Sequence, residues 1–263
     1  MFPLHDNIQS RTVPYVTYAI ISICVVVFAI QFSAGPQADV IVERWGMVPG
    51  RLLTEDSQEA KLIVSRASAV ATPFGNQVVE ARRPVYPAAI SDWFTLLSCM
   101  FLHGGLMHIA GNMWFLYVFG DNVEDRFGHV GFALMYLAAG LAAGVTHLFS
   151  DPNSLIPTIG ASGAIAGVMG AYIVLHPKAV VEAIIPLPFF FGTFSVPAPI
   201  FLGIWFAIQV YQGAISDSSS GGVAWWAHVG GFVAGVLWAG AVLLLRFNQH
   251  PKIDRPVARS LWS

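Results

Sequence analysis

The sequence predicts an all-α fold, a polytopic bundle of membrane-spanning helices with a six-helix core and a long first extramembrane loop. Three observations carry that expectation. Hydrophobic residues make up 56% of the 263-residue chain and charged residues only 11%, with a mean hydropathy of +0.64; a soluble domain carries about 25% charge. Six apolar segments, near 14–32, 94–119, 130–149, 161–175, 197–215 and 224–247, approach the roughly 20 residues that cross a bilayer core of about 30 Å. With the N-terminus inside, Arg11, Arg126, Lys178, Arg246, Lys252, Arg255 and Arg259 fall on the cytoplasmic side, and the short outer loops 150–157 and 216–223 carry no Lys or Arg. That is the asymmetry of the positive-inside rule.

The same composition excludes several classes. A net charge of −2 with no basic stripe gives nucleic acid nothing to bind. Cys24 and Cys99 lie in or beside apolar segments and form no disulfide framework. No internal repeat suggests a transporter of two matched halves, and the spans hold no relay of Asp, Glu or Lys of the kind pumps use.

Taken in order, residues 1–12 are short and polar, and the first apolar run is long enough to stay as a span rather than be removed as a signal peptide. The loop 33–92 mixes charges with apolar stretches such as Leu62-Ile63-Val64. Part of it is expected to lie in the interface as an amphipathic helix, and a flexible stretch around 71–77 is the alternative. The fourth segment is short. A helix that begins below the membrane surface explains this, and it places unpaired N–H groups at depth. Residues 248–263 form a cytoplasmic tail, and the whole of 1–263 reads as one membrane-embedded domain.

The chemistry sits at the head of that short segment, in Gly160-Ala161-Ser162-Gly163. As a bare pattern this is ordinary membrane helix packing. Position gives it more weight, because a serine in a first turn has a free N–H and sits at the positive end of the helix dipole, which suits a developing oxyanion. In Ala227-His228-Val229-Gly230-Gly231-Phe232-Val233-Ala234-Gly235, His228 precedes a Gly231/Gly235 face by one turn. The short helix has its own small face in Gly163, Gly167 and Gly170. Two such helices approach closely enough for the Ser162 hydroxyl to reach the His228 ring at about 3 Å; the bland reading is a histidine bonding across a helix interface. His108 and Asn112, four apart on one helix face, are a pair of neutral donors suited to an oxyanion hole, or polar glue between helices. His103 reads as glue near the mouth, and its five-residue spacing from His108 does not suit a helical metal pair. The charges of 120–128 read as structural.

Five pieces in order, His108-x-x-x-Asn112, Gly120-x-x-x-Glu124-x-x-x-Gly128, Gly160-x-Ser162-Gly163, the 197–209 helix and Ala227-His228-x-x-Gly231-x-x-x-Gly235, resemble the rhomboid family of intramembrane serine proteases, bacterial type. The resemblance implies a Ser162–His228 dyad with no acidic third member. It implies an oxyanion site of His108, Asn112 and the Ser162 N–H, and a wet cavity open to the outer side of a bacterial plasma (inner) membrane. Substrates would be transmembrane proteins entering sideways past Phe201, Trp205 and Phe206, with no metal or cofactor. The rival from another class is a rhomboid-like pseudoenzyme that binds such clients without cutting them. Three departures stand out. Ala166 replaces an aromatic that many relatives pack against the base. Trp93 is followed by Phe94 rather than Arg, and Arg44-Trp45 is reversed and distant. The stretch 54–89 is longer than usual.

Overall fold

The computed structural model describes residues 1–53, 63–72, 75–187, 190–216 and 222–249. The charged stretch 54–62, most of the loop 216–223 and nearly all of the tail 248–263 therefore fall outside the described residues. Strand β1 (Phe2–Asp6) leads into α1 (Tyr15–Ser33), α2 (Ala38–Trp45) and α3 (Pro49–Leu53). A hairpin of β2 (Ile63–Thr72) and β3 (Gly75–Pro84) precedes α4 (Thr95–Ser98), α5 (Leu106–Ser150) and α6 (Ser162–Leu175). Strands β4 (Val180–Leu187) and β5 (Phe190–Pro197) then lead to α7 (Ala198–Ile215) and α8 (Trp225–Gln249).

Four of these helices, α1, α5, α7 and α8, are long and apolar enough to cross a membrane, so the chain is an integral membrane protein with a helical fold. Their outer faces expose Ile23, Val26 and Ile30 on α1, Ile200, Ile204 and Ile208 on α7, and Leu237 and Leu244 on α8. The spacing of three to four residues makes continuous apolar stripes, which need hydrocarbon rather than water around them. Two of the expected segments are one element, α5. It bends at Gly128, whose φ of 72° and ψ of 164° lie where a side chain is strained and glycine is not. The second segment begins at Leu106 rather than near 94, because Gly104-Gly105 interrupts the helix where propensity is lowest.

α6 is the central post. It has 14 residues, about 21 Å at 1.5 Å per residue, which is too short to span alone. Its residues from Gly163 to Tyr172 are all buried, so it is apolar all round, as a fully enclosed helix must be. The bundle closes on it through glycine. A methyl group on Gly231 would strike the Gly163 carbonyl, one on Gly235 the Gly167 carbonyl, and one on Gly163 would lie 2.5 Å from the Ala143 side chain. Backbones meet here because no side chains intervene.

Buried polar groups tie the helix ends together. The Glu124 carboxylate, fully enclosed, accepts from Val16 N–H (2.9 Å), Thr17 N–H (2.8 Å) and the Thr17 hydroxyl (2.7 Å), so it caps the positive end of α1. His129 meets the same carboxylate at 2.6 Å. The charges of 120–128 are structural as read, but the chief tie runs to α1 as well as to the adjoining turn.

Two small sheets outside the bundle correct the sequence reading. Within the first loop α2 supplies a helix as expected, while the unforeseen element is the β2–β3 hairpin, antiparallel from Ile63↔Pro84 to Thr72↔Gly75. The first residues are also a strand: β1–β4–β5 form a three-stranded sheet beneath α6 and α7. Asp6 fastens it, taking bonds from the Tyr172 hydroxyl at 2.5 Å and the Asn122 amide at 2.9 Å. Burial pushes the Asp6 carboxyl above its ordinary range, and the hydrogen bonds from Tyr172, Ile8 N–H and Asn122 work against that.

The first loop is anchored by Arg51. Its buried guanidinium donates to the carbonyls of Glu43, Gly46 and Tyr86, each at 3.0 Å, and pairs with Asp92. A five-donor planar fork is the one side chain that satisfies so many acceptors together.

Candidate active site

The anchored loop holds the segment that leads into α6. Met47 and Thr158 exchange backbone bonds (3.1 and 2.7 Å), and Gly160 N–H donates to the Cys99 carbonyl at 2.9 Å. Gly160 itself has φ +126°, and a methyl group there would lie 2.8 Å from His108 Nε2 and 3.6 Å from Ser162 Oγ. Glycine is required on both counts: the backbone is in the region side chains avoid, and the space belongs to two polar groups. The first bond of the α6 ladder runs from Ile165 N–H to the Ala161 carbonyl. The N–H groups of Ser162 and Gly163 precede it and stay out of the helical ladder.

Ser162 Oγ lies 2.8 Å from His228 Nε2, across the glycine contact between α6 and α8. The ring's other nitrogen, Nδ1, lies 2.7 Å from Gln209 Oε1. Two indoles border the ring, Trp205 with centroids 5.8 Å apart and tilted 32°, and Trp225 edge-on at 6.2 Å. Ala166 on the serine helix is fully buried and carries no ring, so the aromatic contacts on the His228 ring come from α7 and the start of α8. Gln209 was read only as the end of a matched helix. A polar side chain inside an apolar span was the signal that could have singled it out.

His108 Nδ1 accepts from Gly104 N–H at 3.2 Å. A nitrogen that accepts carries no proton, so in the neutral ring Nε2 bears the hydrogen, and that atom faces Gly160 and Ser162. Asn112 is buried, and its side-chain NH2 has no partner among the described residues. Such an orphan donor is costly unless something it awaits will fill the place. His103, expected as polar glue near the mouth, adjoins Gly104 on the cavity wall. It is fully buried, its backbone exchanges bonds with the Gln31 side chain (3.1 and 3.3 Å), and its ring packs edge-on to His108 at 5.2 Å.

Ser162, His228, His108 and Asn112 line one cavity of about 980 Å³, together with Trp205 and Met107. Of the three candidate gate residues only Trp205 borders it. Phe206 stacks on Phe232, and Phe201 is wholly buried near Phe119, away from the opening. Chemically the arrangement offers a hydroxyl hydrogen-bonded to an imidazole, with two side-chain donors and a free helix N-terminus beside them.

Residues 91–245 match the family model of the rhomboid domain. RHOMBOID-like protein 5 of Arabidopsis thaliana is 31% identical over 151 residues, covering 57% of this chain and 44% of that protein. The rhomboid protease GluP of Bacillus subtilis (strain 168) is 31% identical over 166 residues, 62% of this chain and 29% of its own length. RHOMBOID-like protein 4 of Arabidopsis thaliana is 32% identical over 156 residues, 59% and 35%. The chain thus spans less than half the length of each of these relatives.

Proposed function

The chain belongs to the rhomboid family, and from that premise we propose that it is an intramembrane serine endopeptidase that cleaves transmembrane segments of other proteins through a Ser162–His228 dyad. The observation that carries the reading is the 2.8 Å hydrogen bond between Ser162 Oγ and His228 Nε2, inside a cavity that His108 and Asn112 also line. The printed name of the Bacillus subtilis relative, a rhomboid protease, supports the same activity.

In this mechanism Ser162 Oγ attacks the peptide carbonyl carbon while its proton passes to His228 Nε2. The carbonyl oxygen becomes an oxyanion held by His108 Nε2–H, the Asn112 amide and the Ser162 N–H. On collapse, His228 gives its proton to the leaving amine. Water, deprotonated by the same nitrogen, then hydrolyses the acyl-enzyme. The six apolar helical segments, with α5 counted as two legs and α6 starting below the membrane surface, make up the membrane-embedded core. The termini are cytoplasmic and the cavity opens to the outer side of a bacterial plasma membrane. Substrate enters sideways past Trp205 and Phe206, and the domain runs through the whole of 1–263.

The test is cleavage of a single-pass substrate by the purified protein in detergent, with Ser162→Ala beside it. Wild type cuts and Ser162→Ala does not; equal rates would sink the dyad. A fluorophosphonate that labels wild type but not Ser162→Ala separates a protease from a rhomboid-like protein that only binds its clients.

A further inference from the structure

His228 has two nitrogens and the dyad uses one. The other ends on Gln209 Oε1 at 2.7 Å, and the rest of that amide decides what the contact means. Gln209 Nε2 donates to the Trp205 carbonyl at 3.0 Å. Turning the amide over would set its oxygen against that carbonyl oxygen, two acceptors facing each other, so the backbone of α7 fixes which end faces the histidine. An amide oxygen only accepts. Nδ1 must therefore carry the proton, and Nε2 is left with a lone pair directed at the Ser162 hydroxyl.

The placement is otherwise unfavourable. Gln209 is 4% exposed on a helix whose neighbours are apolar, where an amide costs free energy unless its hydrogen bonds are met. A leucine would pack there without that cost. The α6 side, where residue 166 is alanine, gives the ring no aromatic support, and the groups that bear on it are Trp205, Trp225 and Gln209.

We propose that Gln209 is a positioning residue, a neutral third member that holds His228 in the one tautomer able to accept the Ser162 proton. It ties the base to α7, the helix that also carries Trp205. This rests on the proteolytic reading above, and it predicts that the base is competent only while α7 is seated. Loss of an orienting partner on a working histidine typically costs about 10- to 100-fold in activity, as for the outer partners of metal-bound histidines.

Two measurements test it. With the transmembrane substrate, Gln209→Met, matched in length but without an acceptor, should lower kcat by about 10- to 100-fold with KM within about two-fold. Gln209→Glu, which restores an acceptor oxygen, should recover most of the loss. A Met variant as fast as wild type, or a Glu variant no better than Met, overturns the proposal. The second measurement needs no activity: nitrogen NMR of 15N-histidine-labelled protein in detergent, with the His228 signals assigned by their absence in His228→Asn. Wild type should show protonated Nδ1 and bare Nε2, and Gln209→Met should lose that preference. An Nε2–H tautomer in wild type overturns the proposal even if both Gln209 variants misfold. If wild type and Ser162→Ala cut alike, the proteolytic reading fails, while the spectrum still decides what Gln209 does.

Discussion

Phe206 lies on Phe232 with ring centroids 4.5 Å apart and planes within 25°, and this stack joins α7 to α8 beside the cavity. Trp205, its neighbour in sequence, borders the same Phe232 ring at 6.2 Å but also lies against His228 at 5.8 Å, a contact Phe206 lacks. The two residues should therefore respond oppositely to truncation. Phe206→Ala removes an aromatic pair of about 0.5–1.5 kcal/mol and should speed cleavage about 2- to 10-fold if lateral entry limits the rate. Trp205→Ala should slow it by lowering kcat. Initial rates against substrate concentration distinguish the two, and a faster Trp205→Ala enzyme would separate that indole from the base.

In the proposed mechanism His108→Ala and Asn112→Ala each remove a donor aimed at the oxyanion. Each is expected to cut kcat by about 100- to 1000-fold while KM and thermal midpoint change little. A change in KM alone would make these residues substrate contacts instead.

Ala166→Phe would put an aromatic ring on the serine helix, but the site is fully buried and two indoles already flank His228. Overpacking of this kind costs about 1–3 kcal/mol. The variant should unfold at lower temperature in detergent and label poorly with fluorophosphonate. A stable, faster enzyme would show that the helices can part to admit the ring.

Gly231→Ala and Gly240→Ala differ only in place on α8. The first drives a methyl group into the Gly163 carbonyl, and the second meets nothing within 4 Å. Gly231→Ala should abolish activity and lower the melting temperature. Gly240→Ala should be neutral or raise stability by about 0.4–1 kcal/mol. Thermal unfolding of the pair reads the glycine contact directly.

The bundle was legible because lipid imposes a length and a composition on every crossing helix, and α1, α7 and α8 begin and end near where their apolar runs do. The Ser162 and His228 elements were legible through glycine spacing, which marks where backbones can touch. The strands were not. Val180–Leu187 is an apolar run cut by Pro186, and nothing local says that Phe2–Asp6 will pair with it from the other end of the chain. Arg51 and Gln209 were missed for the same reason. An arginine in a charged loop and a glutamine in an apolar helix take their roles from partners 35 and 19 residues away, and that distance is bridged only by the fold.

β5 passes directly into α7, where Ala198 N–H is held by the Ala179 carbonyl at 2.8 Å and Phe201 and Leu202 are enclosed. Tyr211 and Ile215, at the opposite end, are exposed. On the proposed function, such a helix would pivot at its foot. Over 18 residues, or about 27 Å, a tilt of about 10° carries the tip sideways by about 5 Å, close to the 4.8 Å that one extended strand occupies. On the proposed function, a tilt of this size would let a single unwound chain in at the top of the cavity while the sheet at its base keeps its hydrogen bonds.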